Sequence, residues 1–239
     1  MTKGLFVTAT GTDVGKTYIT ALLVKKLRQA GYQAGYYKAA LSGAVPENGD
    51  LVPGDAAYVC QTAGMAEKPA DVVSYIYEHA VSPHLAARLE GNPPELSRIV
   101  AHYQQLSQRY DYLTVEGSGG VVCPLRCDDK QLMLLDVMQA LQLPALVVSE
   151  ARLGSINAAV LTVFYLQQHQ IPVKGIILNR FQADDEMEQD NRVMIERLTG
   201  VPVLAVVEEG GTELSATAEE LLALYETGQE NSTEKKVVG

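Results

Sequence analysis

A glycine-containing turn near the start of the chain constrains its fold more than any other feature. Residues 8–17 read TATGTDVGKT and follow the apolar run 5–7, which has the composition of a buried strand. Downstream, apolar residues recur at helical spacing at Ile19, Leu22, Leu23 and Leu27. A glycine loop at such a strand-to-helix turn directs backbone N–H groups and the positive end of a helix dipole at a polyphosphate. The pattern therefore predicts a nucleotide site, with a plain surface turn as the alternative.

Within this loop, Lys16 is expected to reach the β- and γ-phosphates, and the Thr17 hydroxyl is expected to bind Mg²⁺. The loop departs from the usual pattern because Thr10 stands five residues before Gly15, where glycine is usual. Thr12 and Asp13 place a hydroxyl and a carboxylate at the phosphate end of the site, where they could hold a cationic second substrate. The alternative for Asp13 is that it only caps the following helix.

Apolar runs alternate with helical patterns along the whole chain. The runs rich in β-branched residues cover 5–8, 34–37, 112–115, 145–148, 175–178 and 203–207. This alternation predicts an α/β fold: a single-domain, P-loop NTPase-like arrangement with a mainly parallel sheet flanked by helices on both faces. The 239 residues suit one such domain, assigned to residues 1–226. The polar, aperiodic stretch 227–239 is interpreted as a disordered tail.

Charge and cysteine content narrow the range of partners and compartments. With 19 basic and 29 acidic residues, the net charge of −10 disfavours a nucleic-acid partner. No segment has the length and hydropathy of a transmembrane helix, so no membrane partner is expected. The three cysteines lack zinc-ligand spacing and no apolar leader follows Met1, which favours a reduced, cytoplasmic protein. Cys123 and Cys127 are interpreted as incidental thiols rather than a metal or redox pair.

Polar residues follow the apolar runs, at the edge where open parallel sheets bind ligands. Glu116 directly follows a strand and is the leading candidate to complete a magnesium shell. Asp55, in the Pro- and Gly-rich segment 44–71, is the second candidate, with a turn or helix cap as its alternative role. Lys38 is placed at a strand end to neutralise a transferring phosphoryl group, against the alternative of a solvated charge. Segment 44–71 is predicted to be a mobile loop with a short helix near 56–63 that could close over substrate.

Six motifs in order resemble the dethiobiotin synthetase family. They are Thr12 to Thr17, Lys38 with Ser42-Gly43, Asp55, Ser82-Pro83-His84, Glu116 to Gly120, and Leu153 to Asn157. The resemblance implies an ATP-dependent ligase of the penultimate step of biotin synthesis, which joins 7,8-diaminononanoate and CO₂ into a cyclic urea and releases ADP and phosphate. It also implies Mg²⁺ as cofactor, ATP as co-substrate, and a homodimer with active sites at the subunit interface.

The resemblance further implies a role for each matching residue. Lys38, Lys16 and Thr12 would be catalytic, and Thr17, Asp55 and Glu116 would hold Mg²⁺. The nucleotide would contact Asp13, Val14, Gly15, Lys16, Thr17, Tyr18, Glu116 and Asn179, the last being placed like the family's adenine-recognising asparagine. The substrate would contact Thr12, Asp13, Ser42, Gly117, Leu153, Gly154, Ser155 and Asn157.

The sequence departs from the family pattern at a few positions, including Asp13 in place of a glutamate and Ala39 in place of a proline. None of these changes removes a charged catalytic group. Two rival classes share the expected fold. A partitioning-type nucleotide switch would carry a signature lysine where Gly11 stands, and an amide-forming cobalamin-pathway synthetase would need a further glutamine-hydrolysing domain.

Overall fold

The computed structural model describes residues 1–228, and the elements named here lie in that range. The strands are β1 Lys3–Ala9, β2 Ala34–Ser42, β3 Val45–Glu47, β4 Asp50–Val52, β5 Val73–Tyr77, β6 Tyr112–Glu116, β7 Pro124–Cys127, β8 Gln131–Met133, β9 Ala145–Ser149, β10 Val173–Asn179 and β11 Val203–Val207. The α-helices are α1 Lys16–Gln29, α2 Gly54–Ala63, α3 Pro83–Leu89, α4 Leu96–Ser107, α5 Leu134–Leu141, α6 Ser155–Gln168, α7 Glu186–Thr199 and α8 Ala218–Leu222.

Seven strands form one parallel sheet in the order β11-β10-β9-β1-β6-β2-β5. The sheet is flanked by helices on both faces, so the predicted fold class is confirmed. Its central strands are buried almost throughout, as expected for parallel strands covered on two sides. The strand order places the carboxyl ends of β1, β6 and β2 side by side, and Lys38 is in register with Glu116 on the neighbouring strand.

The second strand is longer than predicted. It continues to Ser42, so Lys38 lies in mid-strand, and its predicted position at a strand end is wrong. The extension is physically reasonable because residues 34–41 are all buried and pair with β6 on one side and β5 on the other.

The structure also contains an edge strand and two hairpins that were not predicted. Strand β5, at the sheet edge, was missed. Segment 44–71 contains the hairpin β3–β4 and helix α2, which spans 54–63 and confirms the predicted short helix near 56–63. A second hairpin, β7–β8, follows the glycines after Glu116. The interpretation of 227–239 as a tail falls, from residue 229 onward, outside the described residues. Among the residues described, no helix is both long and apolar enough to cross a membrane.

Candidate active site

The phosphate-loop candidate joins the central strand β1 to helix α1. Helix α1 begins at Lys16, and Gly15 before it has a left-handed backbone with φ 87°. A Cβ atom at Gly15 would lie 2.0 Å from Nδ2 of Asn179, so the loop and the end of β10 approach too closely for a side chain there. Asp13 also has a left-handed φ of 63°. No side chain caps α1, so the alternative role of Asp13 as its cap is wrong.

Glu116 is the centre of the polar network beneath this loop. Its Oε1 accepts hydrogen bonds from Thr17 Oγ1 and Lys38 Nζ, both at 2.7 Å, and lies 3.5 Å from Lys16 Nζ. Its Oε2 accepts from the Tyr36 hydroxyl at 3.0 Å. The carboxylate is fully buried, so these partners replace the hydration that it loses. Two cations and two hydroxyl donors therefore converge on one carboxylate.

Burial by itself would raise the pKa of Glu116, but the nearby Lys38 and Lys16 ammonium groups outweigh it and lower that pKa to about 2. Burial and the neighbouring Lys38 charge lower the pKa of Lys16. Burial also opposes the charge on Lys38, yet Glu116 and Asp55 prevail and its pKa is raised. Glu116 and Lys38 are therefore both ionised at neutral pH.

Lys38 and Asp55 form the second half of the network. Lys38 is 3% exposed and donates to Asp55 Oδ2 as well as to Glu116, so the alternative of a solvated Lys38 charge is wrong. Asp55 lies in the first turn of α2 but makes no capping hydrogen bond, so its alternative role as a helix cap is also wrong. Its side chain is 44% exposed, on the solvent side of the buried lysine.

These groups open into a cavity of about 1030 Å³. The cavity brings together most of the predicted site residues, namely Thr12, Asp13, Gly15, Lys16, Thr17, Tyr18, Lys38, Ser42 and Asp55. Pro83 and Ser82 of the Ser82-Pro83-His84 motif line its far side. Ser118, Gly119 and Gly120 also line it, so a single concave site contains residues from the first five of the six sequence motifs.

Some predicted site residues lie outside this cavity wall. The N–H of Gly117 donates to the Val7 carbonyl at 2.9 Å, and the carbonyl of Val14 accepts from the Asn179 amide at 3.0 Å. The segment Leu153 to Asn157 forms the start of α6, where Leu153 is 88% exposed. The hydroxyl oxygen of Ser155 is buried there with no hydrogen-bond partner among the described residues.

Several residues at the site were not predicted from the sequence. Tyr36 was assigned to a strand without a role, although its hydroxyl contacts Glu116. Tyr58 of α2 lies near Tyr18, with ring centroids 6.2 Å apart. Arg180 lines the cavity and contacts both the phosphate loop and Glu150. The position of Arg180, directly after Asn179 at the end of an apolar run, was the one available signal.

The donor chemistry around Glu116 suits a magnesium ion. Thr17 Oγ1, Glu116 and Asp55 supply hard oxygen atoms, and Lys38 Nζ, a cation, already lies between the two carboxylates. Mg²⁺ typically takes one or two carboxylates together with phosphate oxygens and water. No cluster of three or more His, Cys, Asp or Glu side chains fit for a metal occurs in residues 1–228, so a metal here would need the phosphates as further ligands.

Sequence comparison gives a consistent family. Residues 3–212 match the model of a family described as an AAA domain. The ATP-dependent dethiobiotin synthetase BioD of Brachyspira hyodysenteriae is 46% identical over 211 residues, which cover 88% of this chain and 94% of the relative. The enzyme of the same name from a Clostridium botulinum strain is 45% identical over 226 residues, covering 95% of this chain and 99% of the relative.

Solved structures show the same fold at low sequence identity. A ParA family ATPase from Chlorobium tepidum has a TM-score of 0.55 at 18% identity, and the match covers 94% of this chain and 90% of the ATPase chain. The septum site-determining protein MinD of Pyrococcus horikoshii, complexed with Mg-ADP, has a TM-score of 0.53 at 18% identity. The match covers 92% of this chain and 89% of the MinD chain. At these identities the likeness shows the fold alone.

Proposed function

Because this chain belongs to the ATP-dependent dethiobiotin synthetases of biotin synthesis, we propose that it converts 7,8-diaminononanoate, CO₂ and ATP into dethiobiotin, ADP and phosphate. The observation that carries this proposal is the convergence of Lys16, Lys38 and Thr17 on the buried Glu116 below a phosphate-type loop. Two ammonium groups and a hydroxyl at one point of a single cavity can balance the negative charge of ATP and of a phosphorylated carbamate.

The reaction has three steps. One amine of the substrate adds to CO₂ and loses a proton, which gives a carbamate. A carbamate oxygen then attacks the γ-phosphorus of ATP and ADP departs, which gives a carbamic-phosphoric anhydride. The second amine attacks the carbonyl carbon, expels phosphate and loses a proton as the cyclic urea closes. No covalent bond to the protein forms, so the protein contributes positioning and charge.

Lys16 and Lys38 supply that charge from two sides. Lys16, at the start of α1, lies 3.5 Å from Glu116, and Lys38 of β2 contacts the same carboxylate at 2.7 Å from the neighbouring strand. Both would stabilise negative charge on the transferring phosphoryl group. Thr12, Asp13 and Ser42 line the adjacent part of the cavity, where we assign the diamine and its carbamate.

We assign Thr17, Asp55 and Glu116 as the residues that would hold Mg²⁺, which when bound would offset phosphate charge. In the ligand-free arrangement Lys38 pairs with two of these ligands, Asp55 and Glu116. Nucleotide binding would therefore require Lys38 to exchange carboxylate oxygens for phosphate or carbamate oxygens. Such an exchange keeps the buried ammonium paired throughout, which avoids the cost of an unpaired buried charge.

We further propose that the protein is a cytoplasmic homodimer with shared sites. The turn Leu153 to Asn157 would bind the carboxylate tail of the substrate held by the partner subunit. Its support is the N-terminus of the 14-residue helix α6 and the unpartnered Ser155 hydroxyl oxygen beside it. The exposed Leu153, together with Leu161 and Phe164 at 58% exposure on the same helix, gives this face an apolar character.

Nucleotide contacts complete the proposal. The backbone of residues 13–18 would bind the phosphates, with the Tyr18 ring beside them at the cavity wall. Asn179 remains our candidate for adenine recognition. Its Nδ2 already donates to the Val14 carbonyl, so base recognition would use its amide oxygen or a small rotation of the side chain.

Turnover in defined mixtures tests the function. Phosphate release from Mg·ATP and bicarbonate is measured with and without 7,8-diaminononanoate, alongside mass detection of the cyclic urea. We expect diamine-dependent phosphate release matched by dethiobiotin. Slow ATP hydrolysis indifferent to the diamine would contradict the proposal and favour a nucleotide switch.

Subunit mixing tests the shared site. A Lys38→Met protein lacks the phosphoryl-transfer lysine, and a Ser155→Asp protein places a negative charge where the carboxylate tail would bind. Equal mixing and exchange of two inactive variants should restore about a quarter of the wild-type activity, because half of the dimers then contain one intact site. No recovery after proven subunit exchange would contradict the shared site.

A further inference from the structure

Two consecutive residues at the end of β10 hold two consecutive carbonyls of the phosphate loop. Asn179 Nδ2 donates to the Val14 carbonyl at 3.0 Å, and Arg180 Nη1 donates to the Asp13 carbonyl at 2.8 Å. Carbonyls that are bonded on the outside of a loop leave the neighbouring N–H groups free to face a ligand. The strand end therefore holds the loop by its backbone carbonyls.

Glu150 fixes the arginine in turn. It follows β9, and its Oε1 accepts from the same Arg180 Nη1 at 2.8 Å, so the two hydrogens of that nitrogen serve the loop carbonyl and the carboxylate. The side chain of Glu150 is 17% exposed and that of Arg180 is 36% exposed, so the pair is partly shielded from water. Adjacent strand ends are thereby linked to the phosphate loop through one guanidinium.

The backbone at both ends of this link is unusual. Asp13 and Arg180 have left-handed φ values of 63° and 54°, a conformation that arginine adopts rarely. Non-glycine residues keep such a conformation only where surrounding contacts hold them, and they cluster at functional sites. The contacts at Arg180 are its bonds to Asp13 and Glu150.

We propose that Arg180 and Glu150 are positioning residues that hold the Asp13 turn of the phosphate loop in its nucleotide-binding conformation. We call the pair the Arg180 clamp. The inference rests on the proposed nucleotide site, and it adds two residues outside the six family motifs. Arg180 lines the cavity, but both hydrogens of its Nη1 are taken by the Asp13 carbonyl and Glu150, so we assign its effect to the loop backbone and not to contact with the nucleotide.

Four proteins test the clamp by titration with Mg·ADP: wild type, Arg180→Met, Glu150→Gln and the control Arg152→Met. Arg152 also faces Glu150, at 3.7 Å, and is 50% exposed, but it makes no hydrogen bond to residues 10–17 in the described part of the chain. We expect Arg180→Met to weaken ADP binding about tenfold, the usual effect of one lost charge-assisted hydrogen bond. Glu150→Gln should weaken it less, and Arg152→Met should leave it unchanged.

Hydrogen exchange of the ligand-free proteins separates the clamp from direct contact. The clamp predicts faster exchange at amides 11–17 in Arg180→Met and in Glu150→Gln, with unchanged exchange in the core strands. Arg180→Gly relieves the left-handed arginine while it removes the same bonds, so it should reproduce the loosened loop with no loss of thermal stability beyond that of Arg180→Met.

Two results would overturn the clamp. One is unchanged ADP affinity and amide exchange in Arg180→Met. The other is tighter ADP binding in Glu150→Gln, because release of the guanidinium would then favour direct contact with the nucleotide. Wild-type protein that binds ADP but makes no dethiobiotin would refute the proposed function instead, and the comparison of variants would still decide the clamp.

Discussion

Replacement of Lys38 by methionine should separate the role of this lysine in stability from its role in turnover. Methionine has a similar length, so the change mainly removes the charge inside the fully buried network. Glu116 then keeps Lys16 at 3.5 Å and the hydroxyls of Thr17 and Tyr36, but loses its nearest cation, which lies at 2.7 Å. The variant leaves a buried carboxylate with fewer partners, which is costly.

The magnitude follows from the pKa of Glu116. A carboxyl group whose pKa falls from 4.5 to about 2 on folding stabilises the native state by about 3 kcal/mol at neutral pH. Lys38 is the largest of the causes that lower it, so Lys38→Met should reduce the free energy of unfolding by about 2 to 3 kcal/mol. The fold should persist, because the free energy of unfolding of a domain is typically about 5–15 kcal/mol.

Urea unfolding at pH 7 measures this loss, and the double variant Lys38→Met/Glu116→Gln is its matched control. The double variant also removes the fully buried Glu116 carboxylate. The ions that then lose a partner, Lys16 and Asp55, have side chains that are 11% and 44% exposed, so the double variant should be more stable than Lys38→Met alone. Both proteins should show no detectable dethiobiotin formation. A single variant within about 0.5 kcal/mol of wild type, or a double variant less stable than the single, would refute the ion-pair reasoning.

Three further predictions concern the same site. The folded-state pKa of Glu116 is lowered, so its contribution to stability is complete above about pH 4.5 and is lost as the pH falls toward about 2. Acid unfolding of Glu116→Gln should lack this pH dependence. Identical acid-unfolding curves for Glu116→Gln and wild type would contradict the prediction. Thr17→Val removes the hydroxyl donor at 2.7 Å from Glu116, and in Mg²⁺ titrations it should weaken metal-dependent ADP binding by about tenfold. The control Thr20→Val, on the same helix, loses only a hydrogen bond to the Lys16 carbonyl and should bind ADP as wild type does. In Gly15→Ala the new Cβ would lie 2.0 Å from Asn179 Nδ2, and alanine would have to adopt a φ of 87°. Calorimetry should therefore show a loss of about 1 kcal/mol or more in unfolding free energy, and ADP titration should show weaker binding. Wild-type stability and affinity would mean that the loop is less constrained than described.

The fold was largely predictable because its signals are local. Each of the six apolar runs lies in a strand of the sheet, and the residues with helical spacing after the loop form α1. Strand β5, at residues 73–77, was missed because it is an edge strand that lacks a continuous β-branched run. The hairpin β7–β8 was missed for a different reason. Arg126 joins it to Glu95, 31 positions away, and a short window of sequence does not show such a contact.

The site was predictable in its members but not in its contacts. Sequence motifs singled out Glu116, Lys38 and Asp55, and the structure brings their side chains together. The direct pairing of Lys38 with Glu116 depends on β2 and β6 being neighbours in that register, which is a property of the sheet and not of either strand. Arg180 was missed because its two partners, the Asp13 carbonyl and the Glu150 carboxylate, are 167 and 30 positions away in the sequence.

An oxygen-transfer experiment tests the central claim most directly. The protein is supplied with ¹⁸O-labelled bicarbonate, ATP, Mg²⁺ and 7,8-diaminononanoate for a single short incubation, and the released phosphate is analysed by mass spectrometry. If a carbamate oxygen attacks the γ-phosphorus and leaves with it at ring closure, each phosphate formed with dethiobiotin carries one oxygen from bicarbonate. Phosphate without label, alongside labelled carbon dioxide that is still unexchanged, would contradict the proposed carbamic-phosphoric anhydride.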